Sequence, residues 1–578
     1  MNTIPVIIRR RKIPEGIYLR NTLTPLLNRI YLARNISSYD ELDYGLNRLP
    51  SPYLMMGIQE ATSLLIDKLG NEQKILIVGD FDADGATSTA IMMKGLQTMG
   101  AKHVSFLIPD RFKFGYGLTP EIVDVAVQHK PDLIITVDNG ITSIDGVAMA
   151  REQGIEVLVT DHHLPGDQLP DANVIINPNQ PGDEFPSKNI AGVGVAFYLL
   201  LALRSRLRDR GWFTEQGLTE PNLAELLDKV ALGTVADVVP LDHCNRILVK
   251  QGLARINRAQ ACPGILALID VANRMPGNLT AADLGFAVAP RLNAAGRIEN
   301  MSIGIECLLT DEHETAHKIA VHLDNINQER RTIENKMKVK ALNDLKKIQI
   351  DETKMMPVGL CLYDQNWHQG VIGILAARIK ERFHRPVIAF APAGDAQEGL
   401  KGSARSIPGL HIRDVLAAVA AQHPGLINKF GGHAMAAGLS LPNESFETFS
   451  LAFNEEVERQ LGSMPLEKVF LTDGELTTAE LDISTAISLR QAGPWGQLFP
   501  EPLFEGDFIV IDKRIVGKYH LKMQLSDGNT HIDAIMFNIR EGDDAMARDT
   551  VHVVYKLDIN EFRGKRSVQM LVEHMQAC

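Results

Sequence analysis

Short apolar runs rich in β-branched residues alternate with helix-like stretches between about residues 55 and 180. Ile75–Val78, Val104–Ile108, Leu133–Val137, Val157–Thr160 and Val174–Ile176 read as strands, with helices at Ser88–Met99 and Pro120–Gln128 between them. That rhythm predicts βαβ units, hence a parallel sheet with helices on both faces and ligands at the carboxyl ends of its strands. Residues 1–50 read as a helical segment with a basic start. Helical patterning at Gly192–Leu203 and Leu223–Leu232 extends the first α/β domain over 51–310. Residues 311–348 contain no Gly or Pro and open on Asp311-Glu312-His313-Glu314, a capping-box pattern. One long helix over 311–350 is expected, with a two-helix hairpin as the alternative. A second α/β domain follows over 351–465, with strands at Val358–Tyr363 and Pro386–Phe390 around a helix at Val371–Phe383. Residues 466–578 change character. Phe508–Ile511, Leu521–Leu525, Ile532–Phe537, Val551–Leu557 and Val568–Val572 are short strands with a turn at Ser526-Asp527-Gly528-Asn529. Five such strands suit a small barrel of the OB type.

The bulk properties narrow the setting. A chain of 578 residues exceeds one core, and 45% hydrophobic with 22% charged residues is an ordinary globular balance. The net charge of −12 argues against a wholly basic nucleic-acid binder but leaves room for a local basic path. The five cysteines are scattered, without a CxxC pair, which fits a reducing compartment and no structural zinc. No apolar run reaches the ~20 residues that span a bilayer. A cytoplasmic protein, monomeric and without a membrane partner, is expected.

Chemistry concentrates at three strand ends. Ile75–Val78 runs into Gly79-Asp80-Phe81-Asp82-Ala83-Asp84-Gly85, Leu133–Val137 into Asp138-Asn139-Gly140, and Val157–Thr160 into Asp161-His162-His163. At a strand exit, alternate acids can fan around an ion. Hard divalent cations take oxygen ligands, and Mn²⁺ also accepts imidazole. Asp237 is a lone acid in an apolar helical stretch, where burial without a partner is costly. Each piece has a plainer reading: a solvated turn for the three acids, an ordinary turn for Asp138-Asn139-Gly140, capping or core histidines, and a helix cap or ion pair for Asp237. Together they point to a metal site, and a pair of ions would clamp a phosphoryl displacement.

These motifs resemble, in order and spacing, those of the DHH phosphoesterase superfamily: Val78–Gly85, Val137–Gly140, Thr160–His163 and Gly233-Thr234-Val235-Ala236-Asp237. Ala289-Pro290-Arg291-Leu292-Asn293-Ala294-Ala295-Gly296-Arg297, Gly402-Ser403-Ala404-Arg405-Ser406 and Gly431–Gly438 are similar to the later motifs of the RecJ family of bacterial single-strand-specific exonucleases. The likeness covers nearly the whole chain, in the compact form that ends after the barrel. It implies a DHH domain and a DHHA1 domain joined by the long helix, plus an OB-fold. It implies two Mn²⁺ or Mg²⁺ ions, one held by Asp82 and Asp138 with Asp80 as a further candidate, the other by Asp84, Asp138, His162 and Asp237. His163 would touch the scissile phosphate, and Asp161 would orient its neighbours. Ser403 and Arg405, with Arg291, Arg111 and His433, would receive the DNA 5′ end; structural ion pairs are the alternative for Arg291, Arg297 and Arg405. Ala404 stands where glycine is common. The implied activity is 5′→3′ hydrolysis of single-stranded DNA to mononucleotides in repair, mismatch repair and recombination. The implied partners are a single-strand-binding protein and a RecQ-type helicase.

In the barrel, basic residues interleave with aromatics: Lys513, Arg514, Lys518, Tyr519, His520 and Lys522, then Tyr555, Lys556, Phe562, Arg563, Lys565 and Arg566. Phosphate neutralisation with base stacking holds single strands in this way. The alternative is a charged solvent face over an aromatic core. Trp495 reads as a packing residue at the domain junction. Two other functions compete: the same metal site acting on a small phosphorylated substrate, against which the barrel argues, and a scaffold that only binds DNA, against which the complete ligand set argues.

Overall fold

A computed structural model describes all residues except 1–4, 20–21, 111–112, 351–355, 395–398, 463, 465, 518–519, 540–548 and 563. The chain divides into two compact units, one of Arg10–Asp324 with Leu471–Cys578, the other of Asn325–Phe470 with Met1–Arg9. The N-terminal segment departs from expectation. Strand β1 (Val6–Arg10) precedes the first helix, Pro25–Leu32, because its β-branched run adds an extended edge to a later strand.

In the first unit β2 (Ile75–Val78), β3 (Val104–Leu107), β4 (Leu133–Val137), β5 (Glu156–Thr160) and β6 (Val174–Ile176) form a sheet in the order β3-β2-β4-β5-β6. Every pairing is parallel. All residues of β2 and β4 are buried, as expected of strands covered on both faces. The chain leaves β2 towards β3 on one side and crosses back to β4 on the other. The carboxyl ends of β2 and β4 therefore flank a topological switch point, where the diverging loops open a crevice. Helix Gly192–Asp209 lies against this sheet, and Gly95 admits Leu200 where a Cβ would sit 2.6 Å from its methyl groups.

Residues His313–Ile350 form one continuous helix, as the unbroken charged pattern predicts. In the second unit β7 (Leu360–Tyr363), β8 (Val387–Pro392), β9 (Leu400–Arg405), β10 (Lys429–Gly432) and β11 (Ala436–Leu441) form a mixed sheet in the order β10-β11-β9-β8-β7. Strand β12 (Lys468–Thr472) pairs with β1.

The C-terminal strands β13 (Phe504–Val516), β14 (His520–Ser526), β15 (His531–Met536), β16 (Thr550–Phe562) and β17 (Lys565–Ala577) close a barrel in the order β13-β14-β15-β17-β16. The barrel shares its unit with the first sheet, and the segment before the barrel is fastened to the start of helix His243–Asn257. Leu241 N–H donates to Gln497 O at 2.8 Å, and the Arg246 guanidinium lies 4.5 Å over the Phe499 ring. Trp495 stacks on Phe499 and donates from Nε1 to Leu489 O at 2.9 Å, a packing role at the junction.

Candidate metal centre

The acids after β2 are arranged by a helix as well as by the strand. Helix Ala83–Thr98 begins five residues before the sequence pattern suggests, because Asp82 caps it: its Oδ1 accepts the N–H groups of Asp84 at 2.9 Å and Gly85 at 3.1 Å. Asp84 thus sits in the first helical turn. Its own carboxylate faces the start of helix Gly192–Asp209, accepting Gly192 N–H at 2.7 Å and Val193 N–H at 2.9 Å. Partial positive charge at that helix N-terminus favours the anion. Glycine is required at this approach, since a Cβ on Gly192 would lie 2.6 Å from Asp138 Oδ1. Gly233 plays the same part for Asp84, since a Cβ there would lie 2.9 Å from its Oδ1.

Asp138 leaves β4 with φ +62°, a left-handed conformation uncommon outside glycine but more accessible to Asp than to most residues. Asn139 behind it donates to Val78 O at 3.1 Å and Val137 O at 2.9 Å, tying the ends of β2 and β4 together. Asp138 is 2% exposed, and its Oδ1 accepts no hydrogen bond among the described residues. His162, after β5, places Nε2 3.2 Å from Asp138 Oδ1, 3.4 Å from Asp237 Oδ2 and 3.9 Å from Asp84 Oδ2. Asp237 caps the end of helix Leu227–Ala236, with its side chain a quarter exposed.

Asp161 is a buried organiser. Its Oδ1 accepts His162 N–H at 2.7 Å, His163 N–H at 3.1 Å and the His163 ring at 2.7 Å, and its Oδ2 accepts Ile141 N–H at 2.9 Å. Burial would raise this carboxyl, but His163 outweighs it and holds it at about 2. Burial likewise disfavours a charged His163, yet Asp161 lifts that ring to about 9. Burial and mutual repulsion push Asp84, Asp138 and Asp237 the other way, above the usual carboxylate range.

Ligand-type atoms of Asp80, Asp82 and Asp138 lie within 4.8 Å of one another, as do those of Asp84, His162 and Asp237, and those of Asp138, His162 and His163. Converging carboxylates that repel one another, an imidazole nitrogen among them, and a buried oxygen without a donor fit hard divalent cations.

Of the residues expected to grip a 5′ end, Ser403, Arg405 and His433 belong to the second unit and Arg291 to the first. Ser403 and Arg405 lie on β9, with Arg405 Nη1 donating to Ser403 Oγ at 3.2 Å and to Ala404 O at 2.8 Å. Among the described residues Arg405 makes no ion pair, and burial disfavours its charge. The start of helix Ile372–Phe383 abuts both, since a Cβ on Gly373 would be 2.9 Å from Ser403 Oγ and 3.0 Å from Arg405 Nη2. The glycine-rich motif forms the β10–β11 hairpin beside them, with Ser403 opposite Gly438 and exposed His433 at the turn. Ala404 is extended rather than left-handed, so its methyl costs no strain. Arg291 is 8% exposed and paired with Asp324 at 2.8 Å, as in the ion-pair reading. Arg111 lies outside the described residues. In the barrel, Lys522 pairs with Asp533 at 3.4 Å, Arg566 with Glu561 at 2.7 Å, and Lys565 is exposed. Lys518, Tyr519 and Arg563 are also outside the described residues.

Several site residues escaped sequence reasoning. The Tyr116 hydroxyl lies 3.1 Å from Asp138 O and 3.2 Å from His163 Nδ1. Asn177 and Asn179, just past β6, donate to His163 O at 2.9 Å and His162 O at 2.6 Å. Asn293, part of the Ala289–Arg297 motif but without a role assigned from it, accepts Ala83 N–H at 2.8 Å. The signal for the two asparagines after β6 is Asn177-Pro178-Asn179, a fourth strand end with polar side chains.

Known proteins show the same organisation. Residues 74–234 match the DHH family N-terminal domain, 356–459 the DHHA1 domain and 472–574 the RecJ OB domain. The chain is 53% identical over 572 residues to the single-stranded-DNA-specific exonuclease RecJ of Dickeya dadantii (strain 3937), covering 98% of both chains. It is 51% identical over 574 residues to the protein of that description from Escherichia coli (strain K12), again with 98% of both covered. Among solved structures, RecJ of Thermus thermophilus in complex with Mn²⁺ superposes with a TM-score of 0.80 at 30% identity, over 99% of this chain and 80% of that one.

Proposed function

Because the chain belongs to the RecJ family of single-stranded-DNA-specific exonucleases, we propose that it hydrolyses single-stranded DNA from the 5′ end to mononucleotides, using Mn²⁺ or Mg²⁺. The observation that carries this reading is the convergence of Asp80, Asp82 and Asp138 and of Asp84, His162 and Asp237 at the switch point of the parallel sheet. Asp82, Asp138 and Asp80 would hold one ion, and Asp84, His162 and Asp237, with Asp138 shared, the other. Two such ions supply a nucleophile at neutral pH and neutralise charge developing on the phosphate.

The chain's own groups do the positioning. Asp161 and Tyr116 fix the His163 ring, so that it can donate to a phosphate oxygen. Asn177 and Asn179 hold the backbone carbonyls of the two histidines, which keeps the His162 ring directed at the acids. Ser403, Arg405 and the first turn of helix Ile372–Phe383 offer a guanidinium fork, a hydroxyl and helix amides, a set suited to a 5′ phosphate. His433 stands on the neighbouring hairpin. The ion pair of Arg291 with Asp324 gives it a supporting role in our reading. Lys522, Lys565 and Arg566 belong to the barrel's share of the strand path. A repair and recombination setting in the cytoplasm, with a monomer working beside a single-strand-binding protein and a RecQ-type helicase, rests on family membership alone.

The test is digestion of 3′-labelled single-stranded DNA with Mn²⁺, beside the 5′-labelled strand and an Asp138→Ala enzyme. Progressive shortening of the 3′-labelled strand, absent in the variant, is expected. No shortening with either label would overturn the reading in favour of a small phosphorylated substrate.

A further inference from the structure

Resting on that reading, we infer that Phe286 is a stacking platform for a base of the single strand between the metal centre and the barrel. Phe286 is 82% exposed, level with Met275 as the most exposed large apolar side chain among the described residues. It occupies a π-helical turn, Leu284–Val288, that leads into helix Ala289–Ile298. Such turns insert an extra residue at a cost in hydrogen bonding and gather at functional sites. An aromatic ring held in water on that turn gains nothing for the fold.

Its position supplies the reason. The preceding residue, Gly285, faces the helix that ends in Asp237, where a Cβ would lie 3.3 Å from Val235 Cγ1. Val238, directly after Asp237, is 65% exposed at φ +60°, a strained conformation for a β-branched residue. On the other side, Arg274 Nε donates to Asp283 Oδ1 at 3.1 Å, which brings the loop carrying Met275 beside the start of the π-turn. Three residues further, Asn278 accepts from Arg566 Nη2 at 2.8 Å in the amide orientation that satisfies both its ends. Arg566 belongs to the basic β16–β17 hairpin. These contacts tie the π-turn that carries Phe286 to the helix ending in Asp237 on one hand, and to the Met275–Asn278 loop that reaches Arg566 on the other, all within a single compact unit. An apolar platform that joins a phosphate-hydrolysing centre to a cationic hairpin matches a polymer with both flat apolar bases and phosphates.

The test uses the full-length protein with Mn²⁺. Phe286→Ala is expected to raise KM about tenfold on a long single strand, the lower part of the range for losing one base–aromatic stack. It should leave kcat and the Mn²⁺ requirement unchanged, with Phe286→Tyr near wild type. In Phe286→Trp, a long oligonucleotide should quench indole emission beyond the change seen in the wild-type protein, which has three tryptophans. Unchanged KM in Phe286→Ala together with no added quenching in Phe286→Trp would overturn the inference. Failure of the wild-type protein to degrade single strands would instead overturn the functional reading beneath it.

Discussion

Replacing Gly192 by alanine tests whether the approach of a helix to Asp138 sets the metal centre. The added Cβ would lie 2.6 Å from Asp138 Oδ1, 2.7 Å from its Cβ and 2.8 Å from its Cγ, where ordinary contact begins at 3.4 Å. One side or the other must withdraw by about 0.7 Å at the Cβ, the difference between those two distances. Asp138 has little room, since it is held at φ +62° between Val137 and Asn139. The helix therefore moves, and with it the Gly192 N–H bond to Asp84 at 2.7 Å. Overpacking of this size costs about 1–3 kcal/mol of stability. A displacement approaching 1 Å at reacting groups costs on the order of 100-fold in rate. We expect kcat on 3′-labelled single-stranded DNA to fall by about that factor at saturating Mn²⁺, with weaker Mn²⁺ binding by calorimetry. Gly194→Ala is the control, because its Cβ would meet Ile190 and Leu248 rather than a carboxylate. It should lose stability and keep turnover. Wild-type turnover and metal affinity in Gly192→Ala would refute the argument, and equal losses in both variants would reduce it to helix packing.

Asp161→Asn removes the carboxylate that orients His163 and should lower activity about 10–100-fold, as for other groups that orient ligands; an Mn²⁺ titration alongside the turnover assay shows whether affinity or rate is lost. Arg405→Ala should erase any preference for 5′-phosphorylated over 5′-hydroxyl strands, and an unchanged preference would remove Ser403 and Arg405 from the 5′-end site. Arg34 and Asp473 form a buried two-point ion pair at 2.8 and 3.0 Å that fastens the N-terminal helix to the segment before the barrel. Arg34→Met leaves Asp473 buried without that partner and should cost about 3–5 kcal/mol in urea unfolding, part of which Asp473→Leu in the same chain restores. Arg459, with Gln460 and Gln422, holds the Glu456 carboxyl at about 2. A depressed folded value means that this stabilisation is complete above the ordinary range near 4.5 and is lost as pH falls towards 2. Melting curves of Glu456→Gln and wild type should differ at neutral pH and draw together over that window.

How much of this was legible follows from where each interaction is encoded. Strands β2 and β4 are buried on both faces and so appear as bare apolar runs, Ile75–Val78 and Leu133–Val137, that any reading finds. Their acids stand out because nothing polar precedes them. The helix after β2 starts earlier than its apolar pattern for a local reason. Asp-Ala-Asp-Gly carries turn chemistry, and only the bonds from Asp84 and Gly85 N–H to Asp82 show that the acid is a cap. Strands β13 and β16 run further than their apolar cores, into Lys513-Arg514 and Asn560-Glu561, because ladder pairing with β14 and β17 sustains them where alternation stops. The contacts of Tyr116 and Gly192 have no signal of that kind. Their partners are Asp138, His163 and Asp84, and no pattern within one segment specifies a contact between loops of separate strands. Asp80, Asp82, Asp138, Asp161, His162 and His163 follow strand ends directly and are local in sequence, whereas what orients them is created by strand order. With β2 and β4 adjacent and their crossovers diverging, the crevice must be closed from behind by whatever helix arrives there. In this chain that is the helix beginning at Gly192, which donates its first amides to Asp84 and leaves room for Asp138.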